Sequence, residues 1–420
     1  MRELLPDSAT VEHGQLLVGG MRTRELADAF GTPLVVYCEQ TLRARAAAYR
    51  DAAPDALIAF GTKAFPNVAV LRLLAEEGLG ADVSTLGELA FAVRAGVPAE
   101  RLVVHGNNKS DGELRAAAEA NARWVVLDAP DEVERAAAAG VRRVLVRVTP
   151  GIEAETHEAI RTGHHGSKFG LPPDQSLDAV AAARAAGLEA EGFHVHLGSQ
   201  LLDPAAGLVT VEWLAAFAAR ARETLDWTPG VIDVGGGLGI AYVEGDRAPD
   251  PGEYTREVMA ALTRSWTLHE LPPPQLVLEP GRSIVGPAGV TLYRIGAVKA
   301  ASETTTWVAV DGGMSDNPRP QLYGANHAGL LANRADESPD GVYSVAGKHC
   351  ESGDVLIERV HLPAPRRDDV LAVPATGAYT LAMASNYNAV PRPAAVLVGD
   401  GEARLIRRRE TIDDVLRHEA

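Results

Sequence analysis

The chain is short of cysteine, has no excess of positive charge and contains no long apolar run, and each shortage removes a class of protein. Its 420 residues include two cysteines, Cys38 and Cys350. They form no CxxC pair, so neither a disulfide framework nor a zinc ribbon is supported, and two single thiols suit a reducing cytoplasm. Lysine and arginine total 40 against 56 acidic residues, a formal net charge of -16. A surface of that sign argues against nucleic acid or an anionic membrane as partner, since both are bound through basic side chains. The N-terminal MRELLPDSATVEHGQL mixes acids with apolar residues and offers no stretch of signal-peptide or membrane-span length, so neither export nor membrane insertion is expected. Low-complexity linkers are also missing.

What remains is a folded chain long enough for two domains, with 46% apolar and 23% charged residues. From about Leu34 to Gly286, short β-branched runs alternate with Ala/Leu/Glu/Arg-rich stretches of helical period, the pattern of βα units around a parallel sheet. Strands are expected at ALIAFGTK, GADVS, RLVVHGN, RWVVLDA, RRVLVRVTP, EAEGFHVHLG, VIDVGGG and QLVLEPGR, eight in all. Helices such as LGELAFAVRAG and PDEVERAAAAG separate them, several ending in glycine. Eight such repeats predict a (β/α)8 barrel over 30–288, with LVVYCEQ (Leu34 to Gln40) as a lead-in. After Gly289 the runs VTLYRIGAVKA, WVAVDGG, YSVAGKHC, VLIERVHLP and AAVLVGDGEARLI lack long helices between them. They predict a C-terminal β-sandwich or β-barrel domain over 289–420, joined by residues 1–29, with a hairpin turn at Gly399 to Gly401.

In such a barrel the active site forms at the C-terminal ends of the strands, with phosphate often bound after strands seven and eight. The unusual residues cluster at those ends. Strand one ends in Lys63, strand six in His196 and GSQ, strand seven in GGGLG (Gly235 to Gly239), and strand eight in EPGR (Glu279 to Arg282). Three successive glycines let backbone amides approach a phosphate closely, although a tight strand-to-helix turn would use the same residues. GGGLG is not GxGxxG and follows the seventh strand, so a Rossmann dinucleotide site is not expected. Lys63 sits in IAFGTKAF, where apolar neighbours would desolvate its ammonium and favour a nucleophilic amine. His164 and His165 lack converging metal-ligand spacing, Arg407 to Arg409 reads as a solvated strand edge, and no metal is expected. Asp82, Asn107 and Lys168 lie near strand ends, where a second layer of support would sit.

Together FGTKAF, HGNNKS, SKFGL, HVHLGSQ, DVGGGLGI, EPGRSIVGP, DGGMSDNPRPQLYGA, GKHCESGD and ATGAYTLAMASNYN resemble the fold-type III pyridoxal-phosphate-dependent decarboxylases, the diaminopimelate branch in particular. The match covers nearly the whole chain, and the set is specific where any one string is not. The resemblance implies pyridoxal 5'-phosphate as cofactor, Lys63 as its Schiff-base lysine and His196 against the face of its ring. It implies Ser199 and Gly235, Gly236 and Gly237 at the phosphate, with Gly281 and Arg282 completing the phosphate and substrate side. Glu279 would face the pyridine nitrogen, where a carboxylate about 4 Å from the N–H contributes about 4 kcal/mol at an effective dielectric of about 20. Tyr379 would reach cofactor and substrate from the β-domain.

For the substrate, the resemblance makes Arg319 and Tyr323 a clamp on a distal carboxylate, which a guanidinium can bind bidentately. Cys350 is implied as a proton donor and Glu351 as the acid that holds a distal ammonium, both reaching the site from the partner subunit of a homodimer. Meso-diaminopimelate carries both distal groups, so its decarboxylation to L-lysine is the implied reaction; ornithine, lysine or arginine would leave the Arg319 guanidinium unmatched. A decarboxylase of one of those amino acids and an alanine-racemase-like enzyme are the alternatives, and HCESGD and DNPRPQLYG weigh against the second. A non-catalytic member that binds a partner protein is the remaining possibility, against which both Lys63 and Cys350 count.

Overall fold

The computed structural model describes residues 1–150 and 167–420; His164 and His165 lie outside them. The described chain divides into two compact units, one formed by Arg45–Gly239 and Ala248–Ser283, the other by Met1–Ala44, Ile240–Arg247 and Ile284–Ala420.

The first of these units is the expected barrel. Its strands are Leu57–Gly61, Gly80–Val83, Leu102–Val104, Trp124–Leu127, Arg143–Arg147, Glu189–His194, Val231–Asp233 and Gln275–Leu278. Each is parallel to its neighbours, and Val277 opposite Leu57 closes the ring. Most of these positions are buried, because helices cover the outside of the ring and side chains fill its inside. Leu57, Ala59, Val103, Trp124, Val126, Leu145, Val231 and Val277 form one core cluster drawn from six of the eight strands. Local chemistry sets the helix boundaries. Ser110 and Glu113 make a reciprocal capping box at the start of Asp111–Glu119, and Gly96 in the left-handed region ends Leu86–Ala95. Strand six bulges at Gly192, where a Cβ would stand 1.8 Å from the Val231 carbonyl oxygen.

In the other unit a mixed sheet runs in the order Val355–Leu362, Gly341–Ala346, Thr306–Val310, Gly289–Ala300, Leu34–Cys38, Ala394–Gly399 and Glu402–Arg407, with Val370–Pro374 and Leu330–Leu331 attached. The 12-residue strand Gly289–Ala300 organises it. Its first half pairs with Leu34–Cys38 and Val370–Pro374, its second half with Thr306–Val310. The GDG turn forms as expected: Asp400 and Gly401 both have positive φ and join two antiparallel strands, the geometry of a two-residue hairpin.

Two expectations need correction. The strand Leu34–Cys38 does not lead into the barrel: it lies between Gly289–Ala300 and Ala394–Gly399 in the mixed sheet. Eight strands already close the barrel and leave no edge, so a fully buried ninth strand has to find its two neighbours elsewhere. Nor is Arg407 to Arg409 a uniformly solvated edge. Arg408 is exposed and pairs with Asp414, whereas Arg409 is half-buried and donates from Nη2 to the Pro33 carbonyl at 2.7 Å.

No described helix is long and apolar enough to cross a membrane. Since Leu145 is fully buried in the barrel cluster, Leu145→Ala should lower the free energy of barrel unfolding by about 2–5 kcal/mol, measured by urea denaturation.

Candidate active site

Lys63 follows strand one in a single turn, Thr62–Ala64, and its Nζ donates to Asp82 Oδ2 at 2.6 Å. Asp82 lies in strand two and is 1% exposed, while the lysine side chain is 46% exposed. The expected apolar desolvation of Lys63 is therefore not what surrounds it. Standing past the strand end, the amine reaches the rim and is held by a buried carboxylate. Asp82, assigned no definite role from the sequence, is its partner.

Glu279, just past the end of strand eight, is buried at the centre of four barrel residues. His105 Nε2 is 2.5 Å from its Oε1, His194 Nε2 is 3.4 Å from its Oε2, and Asp233 stands close by. Burial acts to raise the Glu279 pKa, but the charge and hydrogen bond of His105 and the contact with His194 outweigh it and hold the carboxyl well below its usual range. Asp233 moves the other way, pushed well up by burial and then by the negative charge of Glu279. Of two adjacent buried acids, Glu279 keeps the charge and Asp233 the proton. His194 is driven well down by burial despite Glu279. Ligand-type atoms of these four residues lie within 4.8 Å of one another. The short bond from His105 makes the group a shell around one carboxylate.

Next to this shell the glycine run is sterically obligatory. A Cβ on Gly236 would meet the Glu279 carbonyl oxygen at 2.1 Å, one on Gly237 the Gly198 carbonyl at 2.4 Å, and one on Gly235 the His196 Nδ1 at 2.7 Å. Gly235 and Gly237 also have φ of 68° and 110°, where a side chain is strained. The Gly236 amide donates to His196 Nδ1 at 3.2 Å, which leaves that nitrogen without a proton. Burial, followed by the Lys63 charge, lowers the His196 pKa to about 3, so the ring is a neutral, flat surface. Ser199 Oγ accepts from Arg282 Nη2 at 2.8 Å, and Gly281 packs against Gly61 and Ala64. The structure thus brings Ser199, Arg282, His196 and the glycine run to one side of the barrel mouth.

In the β-rich unit, the short helix Arg319–Tyr323 carries both predicted clamp residues. Arg319 is buried, with its guanidinium 4.7 Å from the ring centre of Tyr242 and 5.8 Å from that of Tyr323. Tyr323 is 63% exposed. Gln321 Nε2 donates to the carbonyls of Gly353 and Val355, tying this helix to the turn that bears Cys350 and Glu351, both exposed. Asp354 organises that turn by accepting from the Met314 amide, the His349 amide and His349 Nδ1. Tyr379 adopts φ 56°, a costly conformation for a bulky residue, within a loop held by Thr376 and Thr380.

Several residues escaped the sequence reading. His105 and His194 stand at or beside the ends of strands three and six inside quoted motifs, so strand-end position was a usable signal. Asp233 was visible in the same way. Tyr242 had none, because its segment leaves the barrel series to join the other unit.

The barrel residues fit pyridoxal phosphate. They offer an amine at the rim, an anionic carboxylate with a second oxygen not in a short bond, a neutral imidazole, and a cradle that any Cβ would fill beside a hydroxyl and a guanidinium.

Residues 39–286 match the family model described as pyridoxal-dependent decarboxylase, pyridoxal binding domain. The chain is 45% identical to a diaminopimelate decarboxylase of Actinosynnema pretiosum subsp. auranticum, covering 99% of this chain and 95% of that one. It is 43% identical to that of Halalkalibacterium halodurans, covering 96% and 95%. A crystal structure of diaminopimelate decarboxylase from M. jannaschii in complex with L-lysine superposes with a TM-score of 0.93 at 32% identity, covering 99% and 98%.

The buried neutral histidines fix a pH response. A histidine whose folded pKa is about 3, as for His196 and His327, binds fewer protons folded than unfolded. Its contribution to stability is complete above the unfolded value near 6.5 and is lost as pH falls toward about 3. The urea midpoint should drop between pH 7.5 and pH 5, and drop less in His327→Gln.

Proposed function

The chain belongs to the pyridoxal-dependent decarboxylases, and among them to the diaminopimelate decarboxylases, and from this premise we propose how its residues divide the work. It is a carboxy-lyase that uses pyridoxal 5'-phosphate and converts meso-2,6-diaminopimelate to L-lysine and carbon dioxide, the last step of lysine biosynthesis. The observation that carries the assignment of residues is the ionised, buried Glu279 in the same barrel mouth as the Lys63 amine and the glycine cradle.

When bound, the cofactor supplies the electron sink for the pair left behind as carbon dioxide departs. Lys63 provides the amine for covalent attachment, and Asp82 orients its Nζ. Glu279 would pair with the pyridine nitrogen and favour its protonated form; a carboxylate about 4 Å from that nitrogen at an effective dielectric of about 20 would contribute about 4 kcal/mol, or about three pKa units. His196, uncharged, would hold the cofactor ring without competing for that proton. Ser199, Gly235, Gly236, Gly237, Gly281 and Arg282 would hold the phosphate, Arg282 would also serve the substrate, and Tyr379 is assigned to cofactor and substrate.

At the distal end of the substrate, Arg319 takes the carboxylate and Tyr323 lines its path. The Tyr242 ring centre lies 4.7 Å from the Arg319 guanidinium carbon, a cation–π contact that helps fix its position. Glu351 holds the distal ammonium, and Cys350 Sγ or Lys63 Nζ returns a proton to the α-carbon. We place Cys350 and Glu351 in the partner's site, which makes the enzyme a homodimer with composite active sites. The exposure of Cys350, Glu351 and Tyr323 in a single chain supports this arrangement. Two free thiols favour a cytoplasmic setting.

Carbon dioxide release should be seen with meso-diaminopimelate and not with L-ornithine, L-lysine or L-arginine, and Lys63→Ala should abolish it. Full turnover by that variant would refute the role of Lys63. Arg319→Ala should cut the preference for diaminopimelate over lysine by about 10- to 100-fold, the worth of a hydrogen-bonded charge pair; an unchanged ratio of kcat/KM values would remove Arg319 from the clamp.

A further inference from the structure

Among the buried titratable residues of the barrel mouth, His105 has been given no task. His105 lies at the end of strand three, next to Val104, and is 6% exposed. Its Nε2 is 2.5 Å from Glu279 Oε1 and 3.8 Å from Asp82 Oδ1. The other oxygen of Asp82 accepts from Lys63 Nζ at 2.6 Å. His194 packs edge-on against the His105 ring with centroids 4.7 Å apart, which restricts its rotation. Lys63, Asp82, His105 and Glu279 therefore form one line in which amine, carboxylate, imidazole and carboxylate alternate.

We propose that His105 is a positioning residue: its Nε2 holds the Glu279 carboxylate by a hydrogen bond and lies 3.8 Å from the Asp82 carboxylate that holds the Lys63 amine, so that both protein contacts to the cofactor depend on one imidazole. This rests on the reading that Lys63 and Glu279 hold pyridoxal phosphate. The physical reason is that a buried carboxylate without a donor takes up a proton. Without His105, Glu279 keeps only the longer contact from His194, beside an Asp233 that adds no positive charge. A neutral Glu279 no longer holds a proton on the pyridine nitrogen, while Asp82 loses the group that separates it from a second buried acid. His105 touches neither cofactor nor substrate in this scheme, and its effect passes through its two neighbours.

The test uses the cofactor-loaded enzyme with His105→Leu, His105→Asn and His105→Gln. The Gln amide nitrogen reaches about as far as imidazole Nε2, whereas that of Asn reaches only as far as Nδ1. Three quantities are read: cofactor retained after dialysis, the pH titration of the bound cofactor's absorption band, and kcat and KM for meso-diaminopimelate. His105→Leu and His105→Asn should weaken cofactor retention about tenfold or more, the size of a charge-assisted hydrogen bond. They should also shift the spectral titration and lower kcat with KM unchanged, and His105→Gln should restore most of each. Should the Leu variant not fold, Asn against Gln decides the same question. Wild-type spectra and retention in the Asn variant, or a Gln variant no better than Asn, overturn the proposal. Borohydride trapping of the cofactor in the wild type separates the two levels. No adduct at Lys63 removes the functional reading and this proposal with it, whereas an adduct with unmoved spectra in the variants overturns this proposal alone.

Discussion

A negative charge at Glu279, buried at the end of strand eight, is the constraint around which the barrel mouth is built. Taking an isolated carboxylate out of water costs several kcal/mol even after relaxation, and the surrounding sequence reads as a response to that cost. His105 makes a short bond to one oxygen, His194 approaches the other, and Asp233 gives up its own charge. The same carboxylate's backbone carbonyl excludes any side chain at Gly236. One residue thereby connects the electrostatics of the barrel mouth with the steric demand of the glycine run.

Much of this was readable in advance, for identifiable reasons. Most of the barrel strands are short apolar runs between helical stretches that glycine or acid residues mark, so their number and order follow from periodicity. The glycine triplet and Lys63 announced themselves by position at strand ends. What periodicity cannot give is which sheet a strand joins. Leu34–Cys38 has the same apolar character as a barrel strand, and only closure at eight excludes it. The character of Lys63 was misjudged for a related reason: its sequence neighbours are apolar, but its spatial neighbour Asp82, nineteen positions on, is an acid.

The β-rich unit contributes by a different logic. Where the barrel sets its groups at the ends of a closed ring, this unit sets Arg319 on a five-residue helix and Cys350 and Glu351 on an adjacent turn, with Gln321 and Asp354 fastening both. Rigid attachment of the exposed Cys350 and Glu351 makes sense if they are to meet a second surface in defined positions, since ordering them at the moment of contact would cost conformational entropy.

The threading of the chain has a bearing on its biosynthesis. Leu34–Cys38 leaves the ribosome long before its two neighbours, Gly289–Ala300 and Ala394–Gly399. At about 5–20 residues per second, roughly 350 residues of further synthesis keep this strand waiting for about 20 to 70 s, ample time for Arg45–Ser283 to emerge and close its ring. Until Gly289–Ala300 emerges, a β-branched segment with both edges open is exposed. The nascent chain is therefore most vulnerable to misassociation at this strand, and the barrel, whose strands all lie between it and its partners, is the part that can mature first.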